Sequence, residues 1–163
     1  MSVLNLESAN LTLEQVSDPE IPVLTIADLG IIRNVKTEGR SVEVTITPTY
    51  SGCPAMDTIE ADIKTALKAA GWQEVEVLTV LNPPWTTDWM SVEGRIKLEE
   101  YGIAAPINGT ADKRSLFGKA EEARCPRCKS SSTQRISQFG STPCKALYQC
   151  TSCLEPFDYF KCI

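Results

Sequence analysis

Four cysteines near the C-terminus have the types and spacing of a metal site. They form two Cys-x-x-Cys pairs, Cys125 with Cys128 and Cys150 with Cys153, and 21 residues separate the pairs. Two such pairs can supply a closed tetrahedral shell of four thiolates, as in structural zinc sites. The separation is one residue longer than this pattern usually has. Iron also accepts four thiolates, so spacing alone leaves zinc and iron open.

Cys53 lies far upstream and does not belong to that pattern. It occupies a Gly-Cys-Pro turn directly before an amphipathic stretch, residues 56–70, whose apolar positions follow the helical period. The N-terminal end of a helix stabilises an anion, so we expect a lowered thiol pKa. This position suits a nucleophile, a redox group or a ligand for a soft metal or cluster. The alternative is a small half-buried side chain that fills the corner between strand and helix.

Asp18 and Glu20 flank a proline in the rigid segment Asp-Pro-Glu-Ile-Pro. Two carboxylates in a fixed turn, upstream of the hairpin that leads to Cys53, are candidate neighbours of that thiol. The alternative is ordinary surface solvation together with helix termination, because neither proline can continue a helix.

The remaining cysteines and the aromatic residues give weaker signals. Cys144 and Cys162 lie near the paired cysteines without a Cys-x-x-Cys partner, and their role stays open. Trp85 and Trp89 are more typical of packing than of a ligand cage. Arg95 is expected to bind an anion or to pair with Glu93 or Glu99.

The helices and strands that position these residues are predicted from the spacing of apolar residues along the sequence. A short helix is expected over residues 11–16, and residues 30–35 and 41–47 form a hairpin in which apolar and polar residues alternate. A third strand, residues 74–81, follows the helix and makes a parallel strand–helix–strand unit. A helix follows from Ser91 to about residue 101, and three short strands surround the paired cysteines. The fold class is α+β: a small three-stranded mixed sheet with helices, followed by a zinc-ribbon β domain.

Charge and composition restrict the function. Residues 1–123 carry 10 Lys+Arg against 19 Asp+Glu, whereas residues 124–163 carry 6 against 2. Neither half has the dense basic stripe of a nucleic-acid-binding surface, so a nucleic-acid-binding zinc ribbon is a disfavoured alternative. The chain has no histidine, which excludes histidine-based acid–base catalysis and makes a self-sufficient enzyme less expected. No apolar run is long enough to span a membrane and the N-terminus lacks signal-peptide features, so the cytoplasm is the predicted location.

Several motifs, in order, resemble the SufT-like iron–sulfur assembly domain family over residues 9–102. They are Asp18-Pro-Glu-Ile-Pro22, Leu29-Gly-Ile-Ile32, Gly52-Cys-Pro54, Asn82-Pro-Pro-Trp85 and Ser91-x-Glu-Gly-Arg95. With the Cys-Pro-Arg-Cys motif and the C-terminal segment, the whole chain is similar to a family of accessory proteins encoded with the multicomponent phenylacetyl-CoA epoxidase. The expected domains are residues 1–102 for iron–sulfur assembly, a linker 103–124, and a Cys₄ zinc ribbon 125–163.

This resemblance implies an accessory function. It implies maturation of an iron–sulfur or iron centre in a partner, with Cys53, Asp18 and Glu20 handling a transient cluster and a structural zinc ion in the ribbon. The implied partners are subunits of the phenylacetyl-CoA epoxidase, including its iron–sulfur reductase, and neither nucleic acid nor membrane. The alternative is a small non-catalytic or coupling subunit of the ring 1,2-oxygenase complex.

Overall fold

The computed structural model describes residues 3–107 and 123–161, and Cys162 lies outside this part of the chain. The chain divides into two compact units, Met1–Trp85 and Thr86–Ile163. In the first unit the elements are α1 (Leu6–Leu13), β1 (Ile32–Glu38), β2 (Ser41–Ile46), α2 (Met56–Ala69) and β3 (Glu74–Thr79). The second unit contains a 3₁₀ turn (Thr87–Trp89), α3 (Val92–Tyr101), β4 (Ile103–Ala104), β5 (Thr133–Ser137), β6 (Lys145–Cys150) and β7 (Pro156–Phe160).

The first unit contains the predicted three-stranded mixed sheet, in the order β1-β2-β3. β1 and β2 are antiparallel, and β2 and β3 are parallel, so the hairpin and the strand–helix–strand predictions are confirmed. Alternation in β2 buries Val42, Val44 and Ile46, and α2 buries residues at the helical period, namely Ile59, Ile63 and Leu67. These two apolar rows form much of the unit's core. The first unit is thus built from patterns that the sequence displays locally.

The predicted position of α1 is wrong. The helix begins at Leu6 rather than residue 11, because Asn5 caps it: its side chain accepts a hydrogen bond from the Ser8 N–H at 2.8 Å. The Asn5 N–H in turn donates to the Ser8 hydroxyl at 3.0 Å. This reciprocal capping box has serine where the common version has Glu or Gln, so the usual signature does not reveal it.

Trp85, at the end of the first unit, is a packing residue, as expected. Its side chain is buried, and its indole N–H donates to the Leu29 carbonyl at 2.8 Å. This hydrogen bond joins two segments that are 56 residues apart. It anchors the loop that leads from the acidic turn into β1.

The second unit contains α3 and a four-stranded sheet in the order β4-β7-β6-β5. Ser91 caps α3 by accepting a hydrogen bond from the Gly94 N–H, and Gly102 ends the helix with a φ of 91°. Only glycine adopts this left-handed conformation without steric cost. The helix and the three strands predicted around the paired cysteines are therefore present.

The division of the chain differs from the predicted domains. α3 belongs to the second compact unit, whose boundary lies after Trp85 rather than after residue 102. The first residues of the predicted linker also form a strand, because Ile103 and Ala104 pair in parallel with β7. A strand of only two residues is too short to show an alternation of apolar and polar side chains, and its partner is distant in the chain. The sequence therefore does not predict β4. Residues 108–122 of the predicted linker lie outside the described residues.

Candidate functional site

Cys53 lies in a tight turn between β2 and α2. Its N–H donates to the Tyr50 carbonyl at 3.3 Å, and its own carbonyl accepts from the Met56 N–H at 3.3 Å. The helix begins at Met56, with Ala55 as an N-cap that makes no side-chain hydrogen bond to the helix. Cys53 is half-buried two residues before this cap. The turn therefore holds the sulfur close to the helix end, where the sequence placed it.

The expectation of a lowered thiol pKa is wrong. Burial of the sulfur raises the pKa of Cys53 above its usual value, and the negative charges of Glu20 and Asp18 raise it further. Hydrogen bonds to the Ala55 backbone and the Tyr50 side chain lower the pKa, but by less. A single favourable backbone group at the helix end is outweighed by lost solvation and two nearby carboxylates. At neutral pH the group is therefore a protonated thiol.

Asp18 organises the acidic turn from inside. Its carboxylate accepts hydrogen bonds from the Glu20 and Ile21 N–H groups at 2.8 and 2.7 Å. Its own N–H donates to the Leu24 carbonyl at 2.8 Å, which closes the turn. The Asp18 side chain is buried, so it is not the solvated surface carboxylate of the alternative interpretation.

Glu20 is half-buried on the same turn. Both carboxylates act on the pKa of Cys53, so the fold brings the three predicted residues into one electrostatic neighbourhood. Chemically, this is a soft sulfur donor beside two hard oxygen donors. A cation entering here would offset both negative charges and favour the thiolate, which reverses the situation in the free protein.

Two side chains near this site have no predicted role in the sequence. The Tyr50 side chain lowers the pKa of Cys53, although the loop sequence gave it no function. Asp28 is buried and exchanges hydrogen bonds with Thr25: each backbone N–H donates to the other's side chain at 3.0 Å. The Thr-x-x-Asp spacing resembles a capping box and is the signal that identifies this pair. Asp28 thus fixes the loop after the acidic turn.

The charge of Glu20 is expected to slow the reaction of Cys53. Glu20→Gln removes a charge that raises the thiol pKa, so the pKa falls and alkylation at a fixed neutral pH becomes faster. Tyr50→Phe removes a hydroxyl that lowers the thiol pKa, so alkylation becomes slower. Iodoacetamide rates at several pH values, followed by mass spectrometry of the peptide containing Cys53, measure both shifts. Glu60→Gln, on α2, serves as the control, and equal rates in all four proteins would contradict the assignment.

The four paired cysteines converge in the second unit. Their sulfur atoms all lie within 4.8 Å of one another, and they are the only such group of metal-binding side chains among the described residues. The Cys125 and Cys153 sulfurs are 3.7 Å apart, and those of Cys128 and Cys150 are 3.5 Å apart. A tetrahedron with metal–sulfur bonds of about 2.3 Å has edges of about 3.8 Å. The donor set therefore fits a tetrahedral metal ion.

Backbone groups prepare these sulfurs for a cation. The Cys128 N–H points to the Cys125 sulfur at 3.5 Å, and the Cys153 N–H points to the Cys150 sulfur at 3.4 Å. The hydrogen bond from Cys153 is the main reason that the pKa of Cys150 falls to about 6. Such hydrogen bonds favour the thiolate form that binds metal. A hydrogen bond to the Glu155 backbone lowers the pKa of Cys153, but burial and the neighbouring cysteine sulfurs outweigh it and raise that pKa to about 12. The two turns therefore match in their N–H to sulfur geometry and differ in the pKa of their thiols.

The other residues considered from the sequence lie outside both sites. Cys144 is buried, with its sulfur 3.0 Å from the Thr142 hydroxyl, and is not one of the four clustered cysteines. Arg95 donates to the backbone carbonyls of Thr87, at 2.5 Å, and of Pro106. Arg95 therefore connects α3 to the segments on either side of it. Its hydrogen bonds go to backbone carbonyls and not to the expected anion or to the carboxylates of Glu93 or Glu99.

Comparison with known families agrees with these two sites. A family model described as an iron–sulfur cluster assembly protein matches residues 11–79, which include the acidic turn and Cys53. A second model, described as the PaaD zinc beta ribbon domain, matches residues 109–161, which include all four clustered cysteines. Each candidate site thus lies in a separately recognised domain.

Individual relatives cover most of the chain or its first part. A protein of Escherichia coli (strain K12), assigned as one of the subunits of the 1,2-phenylacetyl-CoA epoxidase, is 52% identical over 93% of this chain and 89% of its own length. The Fe-S protein maturation auxiliary factor YitW of Bacillus subtilis (strain 168) is 41% identical over 53% of this chain and 85% of its own length. A crystal structure of a DUF59 domain from Bacillus anthracis is 35% identical, covers 56% of this chain and 89% of that chain, and superposes with a TM-score of 0.53.

Within residues 3–107 and 123–161, no helix is both long enough and apolar enough to cross a membrane.

Proposed function

The chain belongs to the same family as the Escherichia coli subunit of the 1,2-phenylacetyl-CoA epoxidase, and we propose that it is an accessory maturation protein of that system. In this proposal it assists assembly of an iron–sulfur or iron centre in a partner subunit. The observation that carries the proposal is the placement of a half-buried thiol beside an acidic turn, within a domain that matches iron–sulfur cluster assembly proteins. The maturation factor from Bacillus subtilis, which covers the same part of the chain, supports this role.

Cys53 is the proposed ligand for the transferred iron or cluster, which is cargo and not a resident cofactor. Burial raises the pKa of the thiol, and the charges of Glu20 and Asp18 raise it further, so both burial and the carboxylates oppose formation of the thiolate while no cation is present. An arriving iron ion or cluster cation offsets those charges and favours loss of the thiol proton. The same carboxylates disfavour the thiolate once the cargo has left. Such an arrangement supports transient rather than permanent binding.

The second unit is proposed to hold one structural zinc ion through Cys125, Cys128, Cys150 and Cys153. Zinc suits this role because it accepts four thiolates tetrahedrally and has no redox chemistry under these conditions. Once bound, the ion supplies cross-linking and no reaction step. Two residues in the small hydrophobic core around Tyr148 are themselves ligands, Cys125 and Cys150. Metal binding and packing of this core are therefore coupled.

The proposed partners are the subunits of the phenylacetyl-CoA epoxidase, with the iron–sulfur reductase as the client. The proposed location is the cytoplasm, where thiols remain reduced and available to metal. Arg127 and Lys145 pair with Glu155 and Asp158, at 2.5 and 3.6 Å, so both acidic side chains after residue 123 are engaged. Residues 124–163 carry 6 Lys+Arg against 2 Asp+Glu, a net of +4, and four thiolates around one Zn²⁺ reduce this to +2. This mildly basic segment, which includes exposed Arg135, supports contact with an acidic client surface.

A second candidate function is that of a stoichiometric coupling subunit of the oxygenase complex. The assignment of the Escherichia coli relative as a subunit favours it. The two roles differ in when the chain is needed. A maturation protein acts before turnover, whereas a coupling subunit acts during turnover.

The experiment therefore separates assembly from turnover. The epoxidase and its reductase are produced in cells with and without this chain, and iron, acid-labile sulfide and visible absorbance are measured. We expect lower cluster occupancy without the chain and restored occupancy when it is supplied. The purified chain is also added to fully metallated epoxidase, where turnover should not change. Full occupancy without the chain, with turnover that rises stoichiometrically on its addition, would establish the coupling role instead.

A further inference from the structure

The outer edge of β3 is the less protected of the two edges of the first unit's sheet. Among the described residues no strand pairs with it. Free strand edges pair readily with other chains, and proteins usually protect them with bulges, prolines or charged side chains, above all lysine. The opposite edge, β1, has a bulge between Ile32 and Asn34 and carries Arg33 and Lys36. β3 pairs with β2 without a register shift, and its sequence, Glu-Val-Glu-Val-Leu-Thr, contains no basic residue and no proline.

The hydrogen bonds at both ends of β3 show which of its backbone groups face outward. The Val80 N–H donates to the Ile46 carbonyl at 2.9 Å. At the other end the Arg40 carbonyl accepts from the Glu74 N–H at 3.4 Å and from the Gln73 N–H, just before the strand, at 3.0 Å. In a parallel ladder only alternate residues bond to a given neighbour, so the even-numbered residues bond to β2. The N–H and C=O groups of Val75, Val77 and Thr79 therefore point away from the sheet. Among the described residues, none of the loop, cap or turn hydrogen bonds involves the N–H groups of these three residues.

We propose that β3 pairs with β3 of a second copy of this chain, antiparallel and around a two-fold axis at Val77. In this register Val77 lies opposite Val77 of the second copy, and Val75 lies opposite Thr79 of the second copy. Antiparallel strands exchange both N–H···O=C bonds at such positions. Each outward backbone group of the three residues then has a partner. The two small sheets become one continuous sheet.

Side-chain charges are compatible with this register. Glu76 lies opposite Leu78 of the second copy, and Glu74 lies opposite Val80, so no two carboxylates face each other. A register centred on Glu76 would place two Glu76 side chains opposite each other, which destabilises a strand pair, and would pair fewer outward groups. Leu78 is 38% exposed, so the pairing also covers apolar surface. The proposal is independent of the maturation role.

The test places either a negative or a positive charge at position 78, which lies opposite Glu76 of the second copy. Sedimentation velocity of the full chain over a range of concentrations should show reversible dimerisation. Leu78→Glu places a second carboxylate opposite Glu76 and should weaken the dimer by about tenfold, since the pair occurs twice. Leu78→Lys creates an opposite-charge pair and should strengthen it. Leu11→Glu and Leu11→Lys, at an exposed position of α1, make the same changes in net charge and should leave dimerisation unaltered.

Hydrogen exchange provides a second measurement on the unaltered chain. The amides of Val75, Val77 and Thr79 should exchange more slowly as concentration rises, whereas amides of β1 should not change. The proposal is overturned if the chain remains a monomer throughout, or if substitutions at positions 78 and 11 act alike. It is equally overturned if these amides become protected only when epoxidase subunits are added, which would assign the edge to a strand of another protein.

Discussion

Replacing Cys150 with serine is expected to remove the metal from the ribbon and to unfold it. Cys150 ends β6, is fully buried, and its sulfur lies 3.5 Å from that of Cys128. A serine hydroxyl is a poor substitute for a thiolate. In zinc-finger peptides the metal contributes about 10–16 kcal/mol, so its loss exceeds the stability of a typical domain. The core of this region is small and includes two of the ligands themselves, Cys125 and Cys150.

Metal content and proteolysis measure this effect together. The unaltered chain should carry one zinc ion, and the Cys150→Ser variant close to none. Trypsin should then cleave after Lys145, whose side chain is only 8% exposed in the folded ribbon. Cys144→Ser is the matched control, because Cys144 is a buried cysteine outside the metal cluster. One retained metal ion in the Cys150→Ser variant, with Lys145 still protected, would contradict the assigned ligands.

Replacing Cys53 with serine is expected to abolish maturation without unfolding the chain. The side chain is half-buried in a turn held by backbone hydrogen bonds, from the Cys53 N–H to Tyr50 and from the Met56 N–H to Cys53. The substitution leaves those bonds in place and removes the sulfur donor. Changes near a metal site that spare the ligands already lower affinity 10–100-fold, so loss of a ligand should lower cluster delivery by about tenfold or more.

The measurement is cluster occupancy in the epoxidase reductase purified from cells that carry only the variant. Iron and acid-labile sulfide should fall together, while the variant keeps the circular dichroism spectrum of the unaltered chain. Cys144→Ser again serves as the control and should support full occupancy. Normal occupancy with Cys53→Ser would refute the role of this thiol, and the proposed function of the chain would then need another ligand.

Much of the fold could be predicted because its elements have local signals. Alternation of Val42, Val44 and Ile46 predicts β2, and the helical spacing of Ile59, Ile63 and Leu67 predicts α2. The capping residues at both ends correctly predict where α3 begins and ends. The two Cys-x-x-Cys pairs predict a metal centre, because each pair forms a local turn that positions its own two sulfurs.

The elements that were missed have weak local signals or distant partners. α1 depends on a capping box with serine in place of Glu or Gln. β4 is only two residues long and exists because it pairs with β7, more than fifty residues later in the chain. The boundary after Trp85 follows from the packing of α3 in the second unit. For β4 and for the boundary after Trp85, the deciding contacts involve residues that no helical or strand period connects.

The sequence by itself therefore determined the thiols, their grouping and the elements that carry them. The tertiary structure alone decided the direction in which the pKa of Cys53 shifts, which local reasoning about a helix end predicted with the wrong sign. A pKa depends on burial and on charges within a few ångströms, and Asp18 and Glu20 are more than thirty residues from Cys53 in the chain. That no strand of the described residues pairs with the outer edge of β3 was likewise visible only in the sheet, because a strand's neighbours are set by folding and not by its own residues.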